Sequence, residues 1–123
     1  MGYKSDVAAV VTNDDFMALI RTAREKNQSA YELLADATIR QNEKYTTLLF
    51  ENEEWYEDND EIQFIENFIR ELPHYFIRIG CSYDDIEERC KEGENHDMRA
   101  GVSLERRIYT DTAGDCIDLS DLL

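Results

Sequence analysis

The chain alternates between two hydrophobic periods, and the order of that alternation restricts its fold more than any other feature. Val7-Ala8-Ala9-Val10-Val11 is a short apolar run rich in β-branched residues and reads as a buried strand. Thr12, three residues before Asp15, is a loose analogue of a capping box. Behind it Phe16, Leu19, Ile20 and Ala23 recur at i, i+3, i+4 and i+7, which predicts an amphipathic helix from Asp15 to about Lys26. Asn27-Gln28 interrupts the pattern. Ser29-Ala30-Tyr31-Glu32 is then a capping-box sequence, and Ala30, Leu33, Leu34 and Ala37 share one face of a second, shorter helix. Tyr45 to Phe50 returns to strand composition. From Asp60, a predicted N-cap, Ile62, Ile65, Ile69 and Leu72 form one stripe, widened by Phe64 and Phe68 and stopped by Pro73. Tyr75 to Gly80 predicts another strand, with Gly80 as a bend. Tyr83 to Cys90 is acidic and poor in apolar residues, which leaves a short helix and a loop both open. Lys91 to Arg99 is polar and is expected to be the most mobile internal segment. Val102, Leu104, Arg106 and Ile108 alternate with Ser103, Glu105, Arg107 and Tyr109, the signature of a half-exposed strand.

Strand, helix, helix, strand, helix, strand, strand is an α+β order. It predicts a single three- or four-stranded, mainly antiparallel sheet with helices on one face. A ferredoxin-like order is expected, because the dominant helices follow the first and second strands. Residues 1–110 read as one globular α+β domain and 111–123 as an acidic C-terminal tail. A chain of 123 residues can bury roughly two thirds of its unfolded surface in one core. The 42% hydrophobic fraction, with one Trp, seven Tyr and five Phe, argues for a folded globule over an acidic disordered segment.

Twenty-eight acids against thirteen bases leave a net charge of -15. Such an excess repels nucleic acid and anionic membrane, and it makes the compact state repel itself. No stretch approaches the roughly 18 apolar residues that would suggest a membrane span, and Met1 to Asp6 lacks signal-peptide character. Met1-Gly2 begins a myristoylation pattern, but Asp6 stands where that pattern needs Ser or Thr. Cys81, Cys90 and Cys116 are odd in number and irregularly spaced, so free thiols in a reducing cytoplasm are expected.

The acids are not evenly spread. From Glu51 to Glu61, seven carboxylates fall in eleven residues around Trp55-Tyr56, with no base among them. Acids spaced along a helix or a strand make a regular anionic row, comparable in density to a nucleic-acid backbone. The candidate partner-binding residues are therefore Glu51, Glu53, Glu54, Trp55, Tyr56, Glu57, Asp58, Asp60 and Glu61, with Glu66 nearby. A second block comprises Asp84, Asp85, Glu87 and Glu88. One of Trp55 and Tyr56 is expected to plug the strand-to-helix junction and the other to anchor a partner.

Catalytic signals are weak by comparison. Adjacent acids in hydrophilic runs are solvated alike, whereas acid–base catalysis needs two carboxyls in different environments. Starting from Asp58, an EF-hand pattern fails at Ile62 and Gln63. The cysteines, His74 and His96 contain no zinc-type pair, and both histidines read as surface or loop residues. The glycines are too scattered for a phosphate loop. No catalytic residue, metal ligand or cofactor is assigned.

The segments Trp55-Tyr56 with Glu61-Ile62-Gln63-Phe64-Ile65-Glu66-Asn67-Phe68, and Phe76-Ile77-Arg78-Ile79-Gly80 with Tyr83-Asp84-Asp85-Ile86-Glu87-Glu88, resemble small acidic proteins encoded by tailed bacteriophages and prophages. Cys81 and Ser82 stand where that resemblance would place a more acidic pair. It implies a cytoplasmic host-takeover factor, of the kind that inhibits restriction or CRISPR machinery by imitating nucleic acid. The expected function is a non-enzymatic inhibitor bound to the basic nucleic-acid surface of a host protein, without direct contact to nucleic acid or membrane. An immunity protein against a nuclease toxin would use the same physics. A metal-dependent hydrolase built on Asp84, Asp85 and Glu88 is a third expectation. A free edge strand would also permit a homodimer.

Overall fold

The apolar run near the start of the chain becomes the central strand of a sheet covered on both sides. β1 (Ser5–Thr12) lies between β3 (Tyr45–Glu53) and β4 (His74–Gly80), while β2 (Thr38–Gln41) and β5 (Ile86–Lys91) form the edges. The order is β2-β3-β1-β4-β5, and every neighbouring pair is antiparallel. The computed structural model describes residues 3–82, 84–91, 98–105, 107–110 and 116–123.

α1 (Asn13–Lys26) and α2 (Gln28–Asp36) connect β1 to β2, and α3 (Asp60–Arg70) connects β3 to β4. Without β5, this is the split βαβ order of ferredoxin-like sheets. Five strands replace the expected three or four. β2 has four residues, too few to display a period. β5 reads Ile-Glu-Glu-Arg-Cys-Lys, and its charge hid a strand that is stabilised on one side by β4 and solvated on the other.

Alternation along β1 divides the interior. Val7, Ala9 and Val11 face the helices and join Phe16, Leu19, Ile20, Ala30, Leu34, Ile62, Ile65 and Ile69. Ala8 and Val10 face the other way, with Leu49, Tyr75, Ile77 and Met98. That second face is covered by a 3₁₀ turn at Met98–Gly101 and by β7 (Arg107–Thr110), which lies against β1 and β3 and pairs with β6 (Val102–Glu105). The alternating run from Val102 to Tyr109 is therefore a hairpin and not one strand. No Gly, Pro, Asn or Asp marks its turn, so the pattern alone could not reveal it. Residues 92–97, most of the segment expected to be mobile, lie outside the described residues.

Helix starts follow backbone hydrogen bonding. Thr12 Oγ1 accepts from the Asp15 N–H at 3.2 Å, as the sequence suggests. The second cap is Asn27 in place of Ser29, because Asn27 Oδ1 accepts from the Ala30 N–H at 3.0 Å and starts the helix earlier. Asn59 occupies the cap of α3, without a side-chain bond to the helix. The Asp60 carboxylate accepts from Asn27 Nδ2 at 2.9 Å, joining the starts of α2 and α3.

His74 is no surface histidine. Pro73 delivers the chain straight into β4, leaving His74 3% exposed with Nδ1 2.8 Å from the Leu72 carbonyl oxygen. The end of the chain is also docked. Ile117 N–H donates to the Ile39 carbonyl at 2.9 Å, and Leu119 is 2% exposed within the helix-side core. Among the described residues, no helix is long and apolar enough to cross a membrane.

Candidate interaction surface

Both acidic blocks arrive at the same end of the sheet. Ser5, near the start of β1, pairs with Glu53 at the end of β3 and with Gly80 at the end of β4, and Ile79 pairs with Ile86 at the start of β5. Three interstrand steps of about 4.8 Å separate β3 from β5. The β3 end is bent by a bulge, where the register shifts between Ser5 and Val7. Asn52 takes a left-handed φ of 55°, and its N–H donates to Asp6 Oδ1 at 2.9 Å. Asn tolerates this region better than most residues, and the bulge turns the following acids away from the sheet.

Trp55 follows the bulge and enters the core. It is 6% exposed, with ring centroids 5.0 Å from Phe50 and 6.4 Å from Phe76, so it is the aromatic of the pair that plugs the junction, and its place among the partner-binding residues is corrected. An indole brings a polar N–H that needs an acceptor when buried. Glu66, itself 5% exposed, supplies it, with Oε2 3.2 Å from Trp55 Nε1. Glu66 Oε1 accepts from Arg89 Nη2 at 2.7 Å and lies 3.8 Å from Arg70. The Arg89 guanidinium in turn sits 4.0 Å over the Phe76 ring. Glu66 is thus a buried structural acid and not part of the partner surface.

The second block does not form a row. Successive β5 side chains point to opposite faces, so Glu87 lies with Arg78 on the helix side while Glu88 lies with Tyr75 on the other. The chain's own arginines hold most of these acids. Asp85 accepts from Arg78 at 2.8 and 3.1 Å and from Tyr3 Oη at 2.6 Å. Arg78 and Tyr3 hold its carboxyl down to about 2. Glu87 bridges Arg78 at 3.4 Å and Arg89 at 3.0 Å. Glu88 accepts from Tyr75 Oη and from Arg99 Nε at 3.2 Å; those bonds lower its pKa, while burial and the Glu88 bond raise that of Tyr75 to about 12. For Asp85, Glu87 and Glu88 the expectation of free carboxylates is corrected, because Tyr3, Tyr75, Arg78, Arg89 and Arg99 already bond them. Asp84 alone of the four is exposed without such a bond among the described residues.

Gly80 permits this clustering. A Cβ there would collide with the Asp85 carboxylate and the Tyr3 hydroxyl, and would meet Tyr3 Cε1 at 2.7 Å. Tyr3 also accepts from the Ser82 N–H at 2.9 Å, and its own N–H donates to Tyr56 Oη, so one residue ties both acidic blocks together. Neither Tyr3 nor Arg78 and Arg89 carried a signal in the sequence, since Tyr3 acts on residues far along the chain and the two arginines meet theirs through strand pairing and packing.

The first block stays largely unpaired. Glu54 pairs with Lys4 at 3.3 Å, and burial raises the pKa of Glu53. Among the described residues, no basic side chain pairs with Glu51, Glu57, Asp58, Asp60 or Glu61. Tyr56 is half-buried beside them. Between the two blocks opens a cleft of about 460 Å³, with Tyr56, Glu57 and Asp58 on one wall and Tyr3, Asp85 and Glu87 on the other. Comparison with protein-family models, characterised proteins and solved structures finds no match for this chain.

Proposed function

We propose that the chain is a non-enzymatic acidic interaction protein of phage type, which binds the basic nucleic-acid-binding surface of a bacterial host protein. The observation that carries this reading is the block Glu51, Glu57, Asp58, Asp60 and Glu61. Glu51, Glu57, Asp58 and Asp60 are exposed and Glu61 is half-buried, all without a basic partner among the described residues, on a bulge-to-helix junction fixed by Trp55. Unpaired charge on a rigid frame steers a basic partner without the entropy cost of ordering a loop. The surface is narrower than the sequence suggests, because Trp55 is core, Glu88 is engaged internally, and Asp85 and Glu87 keep only the lone pairs that Arg78, Arg89 and Tyr3 leave. Those internal bonds also favour binding over hydrolysis, since Asp85 and Glu88 already accept from arginines.

The test is capture from nuclease-treated bacterial lysate on the immobilised chain, with elution by rising salt. The expected partner is a nucleic-acid-binding protein, released by about 0.5 M salt as ion pairs are screened and displaced by added nucleic acid. Glu57→Lys/Asp58→Lys/Glu61→Lys should abolish capture. Retention that ignores both salt and charge reversal would overturn the proposal.

A further inference from the structure

The cleft between the two acidic blocks is built for one chemistry. Its floor is saturated: Trp55 Nε1 donates to Glu66, and Arg78 bonds Asp85, Glu87 and Ser5. The mouth is rich in acceptors, from the unpaired Glu57 and Asp58 on one wall and the outer lone pairs of Asp85 and Glu87 on the other, with Tyr3 and Tyr56 beside them. An anion is repelled from such a space and an apolar group leaves its carboxylates unsatisfied.

Its volume of about 460 Å³ lies in the range of small-ligand sites. The same sheet edge already accommodates a guanidinium from within the chain, since Arg89 lies over Phe76 at 4.0 Å while bonding Glu66 at 2.7 Å and Glu87 at 3.0 Å. Ring face plus carboxylates suits a planar guanidinium, which stacks and bonds two acceptors at once, better than a compact, strongly hydrated ammonium.

We propose that this cleft receives an arginine side chain of the basic partner, its guanidinium held between the Glu57–Asp58 wall and the Asp85–Glu87 wall. This rests on the acidic-surface function proposed above and names the group that the surface reads.

Trp55, the one tryptophan of the chain, lies at the cleft and reports on it. The probe is acetyl-Gly-Arg-Gly-amide, titrated into the full chain at low salt while Trp55 fluorescence and its indole N–H resonance are followed, with acetyl-Gly-Lys-Gly-amide as comparison. The arginine peptide should bind more tightly than the lysine peptide. Glu57→Gln/Asp58→Asn should weaken it about tenfold, as expected for lost charge-assisted bonds. Glu25→Gln/Glu32→Gln, on the exposed faces of α1 and α2, should leave it unchanged. Equal response to both peptides, or equal loss in both double variants, overturns the arginine site. Partner capture separates the two proposals: if Glu51→Lys/Glu61→Lys abolishes capture while Glu57→Gln/Asp58→Asn does not, the surface stands and the cleft falls. If neither variant affects capture, both fall.

Discussion

Glu66 is a carboxylate on the apolar face of α3, four residues after Ile62, and its partners account for its presence there. Removing one member of a buried ion pair leaves the other uncompensated. Glu66→Ala should therefore cost about 3 kcal/mol in urea unfolding, with a shift in Trp55 emission, and Glu66→Gln should cost less because an amide oxygen can still accept from the indole. His74 gives a second expectation at this scale. Burial lowers its pKa from 6.5, against the help of the Leu72 carbonyl, and Arg89 and Lys91 on β5 and Arg70 on α3 act in the same direction as burial. Folding thus disfavours its protonated form. Stability from this group is complete above about 6.5 and declines as pH falls through that value toward the lowered folded-state pKa. Asp85 adds a later limb with the same sign, present above 3.8 and lost as pH falls toward about 2. Urea midpoints measured from pH 7 to pH 5 should fall more steeply for the wild type than for His74→Phe, which cannot titrate.

At the scale of elements, the caps distinguish two otherwise similar residues. Asn27→Ala should destabilise the protein by about 1 kcal/mol, while Ser29→Ala should change the thermal midpoint little, because Asn27 holds the Ala30 N–H. The capping-box pattern at Ser29 was a real local signal, yet the helix begins one residue after Asn27. That residue also donates to Asp60 at the start of α3, a contact invisible from neighbouring sequence. α1 and α3 were legible because their apolar residues recur at the helical period, and β1 and the core of β3 because of their β-branched, apolar and aromatic composition. β2 and β5 were not, because edge strands carry less burial and so less pattern. The acids of β5 looked like one block in sequence, but the pleat sends Glu87 and Glu88 to opposite faces.

For the whole molecule, a net charge of -15 is a standing repulsion. Unpaired acids outside a helix start, such as Glu57 and Asp58, contribute to it without return in stability, whereas those bonded to arginines are part of the fold. Glu57→Lys/Asp58→Lys should therefore keep the native fold and raise the thermal midpoint at low salt, with the gain shrinking as ionic strength rises. Loss of folding would show these acids to be structural.

The amino-acid sequence by itself determined the α+β class, the three helices and the first buried strand, because hydrophobic period and composition are properties of residues close along the chain. Only the tertiary structure decided which carboxylates remain available to a partner. That depends on where Tyr3, Arg78, Arg89 and Arg99 come to rest, which strand register and packing decide and local sequence does not.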